Sequence, residues 1–397
     1  MSSHTLPRTL PGWLYLMGAL TAIGPVSIDM YLPAFPAMAA GLGVPAGDVE
    51  RTLAAYLIGL AASQVFYGPL ADRFGRKPPL YAALALYIVA SLGCALASDV
   101  DALAAWRALQ AVGGAAGIVI PRAVIRDHYD TRDAARALSM LMLIMGLAPI
   151  LAPLIGGQLL EITGWRSLFG LMAACGAALV IAVALTMDES LPRDKQVALS
   201  WRNIGRNYLA LLRHRRFLAY ALAGGLGMAG MFSYIVGSPR VFIEYYGVPP
   251  QYYGLLFGLN AVGLIGGSQV SARLLRRLPP ERLLGTAQRV LAVAGLAALA
   301  LTLAGWMNLA LLMACIFIYM ASQGFVNPNA AALALAGQDG RLGVASALMG
   351  TLQLSCGAAT GLVVSAWQAA GPLPLVAVLC ACACLSWLAG QAAKAFA

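Results

Sequence analysis

Gly68-Pro69-Leu70-Ala71-Asp72-Arg73-Phe74-Gly75-Arg76-Lys77-Pro78 is a short polar stretch set between two long apolar runs. Gly68 leaves room for a neighbouring helix to come close, and Gly75 suits a tight turn because it lacks a Cβ. Asp72 can sit at the N-terminus of another helix, whose dipole favours an anion; the start of the eleventh apolar run, Gly343 to Ser346, is the candidate. Arg73, Arg76 and Lys77 suit the headgroup region of an inner leaflet. Ordinary loop charge would explain those three cations but not Asp72 or the glycines. The stretch therefore reads as a conformational switch between helices that cross a membrane. Arg126 and Asp127, in the next basic loop, are counted with it.

Composition places the whole chain in that class. Hydrophobic residues make up 60% and charged residues 11% of the 397, and the mean hydropathy is +0.78; a soluble domain carries about a quarter charged residues. Working outward from the loop gives twelve apolar runs, at 12–37, 49–70, 79–98, 101–124, 135–159, 165–187, 217–240, 251–274, 283–304, 308–332, 342–367 and 372–393. Each is long enough to cross a bilayer as a helix, the form that pairs every backbone polar group locally. The first run is read as an uncleaved span rather than a signal peptide. The seven cysteines all lie in apolar runs and read as small packing residues.

A net charge of +10 raises nucleic acid as a partner, but the placement of the charge excludes it. The cations cluster in alternate loops: Arg73, Arg76 and Lys77; Arg126, Arg132 and Arg136; Arg193, Lys195, Arg202, Arg206, Arg213, Arg215 and Arg216; Arg273, Arg276, Arg277 and Arg282; then Arg341 and Lys394. The loops between hold only Arg51, Arg166 and Arg240. This is the positive-inside pattern and predicts both termini in the cytoplasm.

The segment 188–216 separates six spans from six, so the expected units are an N-terminal six-helix bundle (1–187), a cytoplasmic linker (188–216) and a C-terminal six-helix bundle (217–397). Within the linker, Trp201, Ile204, Tyr208 and Leu212 recur at helical spacing, consistent either with a helix lying on the membrane surface or with a solvated connector. The halves repeat. Gly43-Val44-Pro45 returns as Gly247-Val248-Pro249, offset by 204, and Ser63-Gln64 as Ser268-Gln269, offset by 205. Duplicated six-span units joined by a basic connector are the sequence form of an alternating-access transporter.

Ser27-Ile28-Asp29-Met30-Tyr31-Leu32-Pro33 carries the chemistry. Asp29 is the only ionisable side chain of the first run, and a carboxylate at that depth costs about 3 kcal/mol or more, so such residues face cavities and work there. It is the expected proton carrier. Asp29 and Arg107, each about 10 Å from the outer edge at ~1.5 Å per residue, are expected to make a direct or water-bridged contact. The second half offers no counterpart of Asp29, but Phe232, Tyr234 and Asn260 could line a substrate cavity with Tyr31, Tyr56 and Gln110. No Gly-x-x-x-x-Gly-Lys-Ser/Thr stretch exists, so no P-loop is expected. No constellation of His, Cys and carboxylates inside the membrane points to an enzyme.

The loop Gly68 to Lys77 resembles the signature of the major facilitator superfamily, Gly-x-x-x-Asp-Arg-x-Gly-Arg-Lys/Arg. Arg107-Ala108-Leu109-Gln110-Ala111 resembles that superfamily's fourth-helix motif, with Ala111 where glycine is usual, and Gly146 to Gly157 resembles its Pro/Gly-rich antiporter signature, with Ala152-Pro153 in place of Gly-Pro. Ile28 to Pro33 with Pro36, and Ala229 to Ser233, resemble the Bcr/CflA drug-resistance group. The resemblance covers essentially the whole chain. It implies an all-α membrane protein of twelve transmembrane helices in two six-helix bundles. It further implies a monomeric, proton-driven exporter of small amphiphilic drugs in a bacterial inner membrane, with Asp29 and Arg107 as coupling residues. Its partners would be drug, protons and membrane lipid, and it would use no cofactor beyond the proton gradient. Proton-coupled uptake, or facilitated passage of a small solute, would use the same fold.

Overall fold

The structure, a computed structural model, describes residues 12–129, 131–192, 196, 201–336, 338, 342–367, 369 and 371–395. His4, Arg8, Arg193, Lys195 and Arg341 lie outside the described residues, as do the side chains of Arg132, Arg136, Trp201, Arg202 and Ile204.

The described residues form helices: α1 (Gly12–Asp29), α2 (Phe35–Leu42), α3 (Ala46–Phe74), α4 (Lys77–Leu96), α5 (Val100–His128), α6 (Thr131–Thr163), α7 (Arg166–Thr186), α8 (Trp201–Leu212), α9 (Arg215–Pro239), α10 (Pro250–Leu274), α11 (Pro280–Leu303), α12 (Leu309–Leu335), α13 (Leu342–Ala366) and α14 (Leu373–Ala395). Twelve units are long and apolar enough to cross a membrane, with α1 and α2 forming one broken span, Gly12–Leu42, and α9 continuing through a π-helical turn to Tyr245. The first and seventh spans thus run past the 12–37 and 217–240 read from hydropathy.

Helix starts follow local chemistry. The Asp99 carboxylate accepts from the Ala102 N–H at 2.8 Å at the head of α5, and the Asn308 side chain accepts from the Leu311 N–H at 2.9 Å at the head of α12. Each satisfies a donor the helix itself leaves open. The repeated Gly-Val-Pro tripeptide is a repeated turn: Gly43 and Gly247 have φ of +67° and +69°, and Pro45 and Pro249 are the extended N-caps of α3 and α10. The left-handed conformation is why glycine recurs there.

The two halves share one packing pattern. In the first, α5 packs on α1, α3 and α4, α4 on α7, and α1 on α6; in the second, α12 packs on α9, α10 and α11, α11 on α14, and α9 on α13. The halves meet along α3–α13 and α6–α10. Helix α8 touches α9 and α13. Its buried contact is Leu211, which joins Phe217 and Tyr220, whereas Leu212 is exposed. Tyr208 packs against the same cluster, so the inward stripe keeps Tyr208 and takes Leu211 in place of Leu212.

Candidate functional site

Asp29 is the last residue of α1. Pro33 has no N–H to give, so the chain leaves α1 through a 3₁₀ turn at Leu32–Ala34 before α2 begins. Gly156 of α6 rests against the Met30 carbonyl at this break, where any Cβ would collide with it. The Pro/Gly-rich fifth span thus presses into the break that displays Asp29. The carboxylate is 3% exposed and forms no hydrogen bond or ion pair with another described residue. It lines a cavity of about 90 Å³ with Pro149 of α6, Met231, Tyr234 and Ile235 of α9, Phe257 and Asn260 of α10, and Met320 of α12. Asn260 donates to the Tyr234 hydroxyl at 3.0 Å, its Oδ1 has no partner, and Tyr234 stacks on Phe257 with centroids 5.4 Å apart. A lone carboxylate and one open acceptor therefore sit in an otherwise apolar seam between the halves. Drug-sized ligands occupy roughly 300–1,000 Å³, so entry of one requires the helices to part.

Arg107 lies elsewhere. It is fully buried, with its guanidinium 4.2 Å from the Tyr31 ring centroid and 4.3 Å from that of Tyr56. It donates to the Ser27 carbonyl at 2.8 Å and to the Gln110 side chain, and Gln110 in turn donates to Ser91 at 2.7 Å. Cation–π contacts are worth ~2 kcal/mol or more when desolvated, which offsets part of the cost of burying the charge. No carboxylate lies within ion-pair distance of Arg107 among the described residues. The expected direct approach to Asp29 is not made: equal depth places both near one level, but Asp29 faces the other half while Arg107 turns into its own. The link between them is covalent, through Ser27, two residues before Asp29. Of the six residues expected to line a substrate cavity, Tyr234 and Asn260 line the cavity beside Asp29. Tyr31, Tyr56 and Gln110 form the cage of Arg107, and Phe232 is buried against Gly357.

The loop from Gly68 to Pro78 is built around Arg76. Its Nη1 donates to Asp72 at 2.6 Å and its Nε to Asp127 at 2.9 Å. Glu189, assigned by sequence to the linker, accepts from the Arg76 and Lys77 backbone N–H groups at 2.8 and 3.0 Å, placing an anion at the head of α4. It fills the space above Gly75, whose φ is +88°. Asp72 pairs within its own loop, while Gly343 and Ser346 at the start of α13 are exposed. A Cβ on Gly68 would meet nothing within 4 Å. The close helix approach expected at Gly68 is absent.

At the opposite face an ion pair joins the halves. Glu50, on α3, is completely buried and pairs with Arg240 beyond α9 at 3.3 Å, from one half to the other. Neither Glu50 oxygen has hydrogen-bond geometry, and Arg240 also donates to the Val364 carbonyl at 3.1 Å. Sequence reading passed over Glu50. Its signal was a carboxylate inside the second apolar run rather than in the loop before it.

The Major Facilitator Superfamily matches this chain over residues 17–362. An uncharacterized MFS-type transporter, YdgK, of Bacillus subtilis is 37% identical over 345 residues, 86% of each chain. A bicyclomycin resistance protein homolog of Haemophilus influenzae is 28% identical over 95% of this chain and 94% of its own. Multidrug resistance protein MdtL of Escherichia coli is 31% identical over 93% and 92%. Among solved structures, a D-xylose-proton symporter superposes with a TM-score of 0.73 at 15% identity, covering 96% of both chains.

Proposed function

This chain belongs to the major facilitator superfamily, and from that premise we propose that it is a proton-coupled antiporter that exports small amphiphilic drugs. It would work by alternating access in a bacterial cytoplasmic membrane, with its basic loops inside. The observation that carries this reading is the unpartnered Asp29 carboxylate at the α1 break, facing an apolar cavity between the halves. Drug-resistance names among the relatives support the cargo class, and the basic loops support the orientation. A carboxylate without a fixed cation can take up a proton at one face and release it when the cavity opens to the other. Arg107, held in its ring cage, keeps the α1 terminus in register while the proton comes and goes. With one carboxylate in the cavity and no free cation beside it, neutral or zwitterionic amphiphiles fit better than multivalent cations.

Everted vesicles test this. Added bicyclomycin or chloramphenicol should release stored protons, and Asp29→Asn should abolish the release, a loss of at least tenfold, with unchanged protein level. A variant that still accumulates drug against its gradient would overturn the role of Asp29. One proton exchanged for one neutral drug moves net charge, and ~2.3 kcal/mol per charge is available at 100 mV. Collapsing voltage alone with potassium and valinomycin should therefore slow efflux; a rate set by pH difference alone rejects that stoichiometry.

A further inference from the structure

A cleft of about 710 Å³ lies far from Asp29 in the chain, between the head of α11 and the tail of α14. Arg282 and Arg289 are seven residues apart on α11, so they share a face about 10 Å apart along its axis. Trp387 and Lys394 are likewise seven apart on α14, and all four line the cleft. Gly285 provides the floor: a Cβ there would stand 3.2 Å from the Lys394 Nζ.

Most side-chain donors in this cleft lack acceptors. The Arg282 and Lys394 side chains form no hydrogen bond or ion pair with another described residue. Arg289 reaches only its own helix, through the Gly285 carbonyl and the Thr286 hydroxyl, both at 3.3 Å. The Trp387 indole N–H is buried without a partner. Glu281 is the one carboxylate at the rim, and it pairs with none of these cations. Loop charge at the membrane surface accounts for Arg282 and Lys394; it does not account for Arg289 two turns further in, or for the orphan indole. Beyond the cleft the same two helices turn exposed apolar side chains outward, Val290 and Val293 on α11 and Leu385 and Leu388 on α14.

We propose that this cleft binds the phosphate headgroup of an anionic phospholipid, whose acyl chains lie along the exposed apolar faces of α11 and α14. The assignment rests on the proposed orientation, which puts this end in the inner leaflet, and not on drug export. Basic pockets between helices on the cytoplasmic side suit such headgroups. A phosphodiester supplies the acceptors that the Arg282 guanidinium, the ammonium and the indole lack and adds one for Arg289, and the chains match the apolar surface above them.

Native mass spectrometry of the purified full chain tests it, using dioleoyl phosphatidylglycerol, phosphatidylcholine of the same chains, and glycerol 1-phosphate as the headgroup without chains. Phosphatidylglycerol should be retained at least tenfold over phosphatidylcholine. The variant R282Q/R289Q/K394Q, which alters only exposed side chains, should lose that preference. Gly285→Leu, which fills the cleft and keeps every charge, should lose it as well, and Glu281→Gln should strengthen retention. Unfolding midpoints equal to the parent's confirm that the variants report on binding. Equal retention of the two lipids overturns the proposal, as do folded variants that hold phosphatidylglycerol like the parent. Displacement by millimolar glycerol 1-phosphate makes the cleft a site for a soluble anion and overturns the lipid assignment. None of these outcomes depends on proton-coupled export.

Discussion

The halves touch along two seams that the internal repeat makes equivalent, α3 with α13 and α6 with α10, yet different physics closes each. Advancing Glu50 by the 204-residue offset of the Gly-Val-Pro turns gives Gly254. On the α3 side a buried carboxylate meets Arg240 from the other half at 3.3 Å. On the α6 side glycines let backbones touch: a Cβ on Gly254 would lie 2.7 Å from the Leu154 nitrogen, and one on Gly157 would lie 2.9 Å from the Pro250 carbonyl. A contact between buried charges answers to protonation and water. A contact made by missing side chains answers to neither. Of two symmetry-related seams, one carries a buried charge pair and the other close backbone contacts.

Glu50→Ala should break this contrast most strongly. It strands Arg240 in the seam, at a cost of at most about 3–5 kcal/mol, which is about two to three and a half decades in the balance of outer-closed and outer-open forms. A cysteine placed at Ala54, buried on α3 beside Gly361, should then react with an impermeant maleimide at least ten times faster. Adding Arg240→Ala should bring the rate back toward the parent's. Labelling unchanged by Glu50→Ala would remove the charged seam from the account.

Gly254→Leu ranks next. Overpacking costs about 1–3 kcal/mol, so transport should fall by about tenfold and by the same factor at pH 6 and pH 8. A defect that acid relieves would mean that the second seam is not purely steric. Asp72→Ala should be milder. Its pair with Arg76 is half-exposed and worth under about 1 kcal/mol, and the helix-dipole contact expected when the basic face closes is worth about 0.3–1 kcal/mol. Cysteine accessibility from the basic face should rise only a few fold; no change would count against Asp72 as a latch. Smallest of all, Glu189→Ala should leave transport intact and quicken hydrogen exchange at the Arg76 and Lys77 amides by about fivefold, as loss of ~1 kcal/mol of capping predicts. Unaltered exchange would show that the cap carries no stability.

The spans were legible because lipid demands long apolar runs, and the repeat because a left-handed turn demands glycine at both Gly43 and Gly247. Asp29 was legible as a charge out of place. What hydropathy could not supply is azimuth. Depth along a helix follows from counting residues, but the direction a side chain faces depends on neighbours, which is why Asp29 and Arg107 form no direct ion pair and why Leu211 rather than Leu212 is buried. Long-range partnership was equally silent. Glu50 sits beside Arg51, which pairs locally with Asp48, and nothing near it in sequence announces Arg240. Glu189 looked like linker because its role is to cap a helix more than a hundred residues upstream.

The ring cage of Arg107 bears on how the protein is made. An arginine inside a span resists insertion by up to roughly 2.5–3.5 kcal/mol, the value at the span's centre, and it cannot discard its charge. Its partners Ser27, Tyr31 and Tyr56 precede it in the chain, as does Ser91, which holds Gln110. When α5 leaves the ribosome, the carbonyl and both tyrosine rings that receive the guanidinium have already been synthesised, and only Phe169 is still to come. Glu50 has no such provision and waits about half the chain's length for Arg240. It lies within the first turns of α3, close to water, where a nascent chain can leave a carboxylate hydrated until the second half arrives.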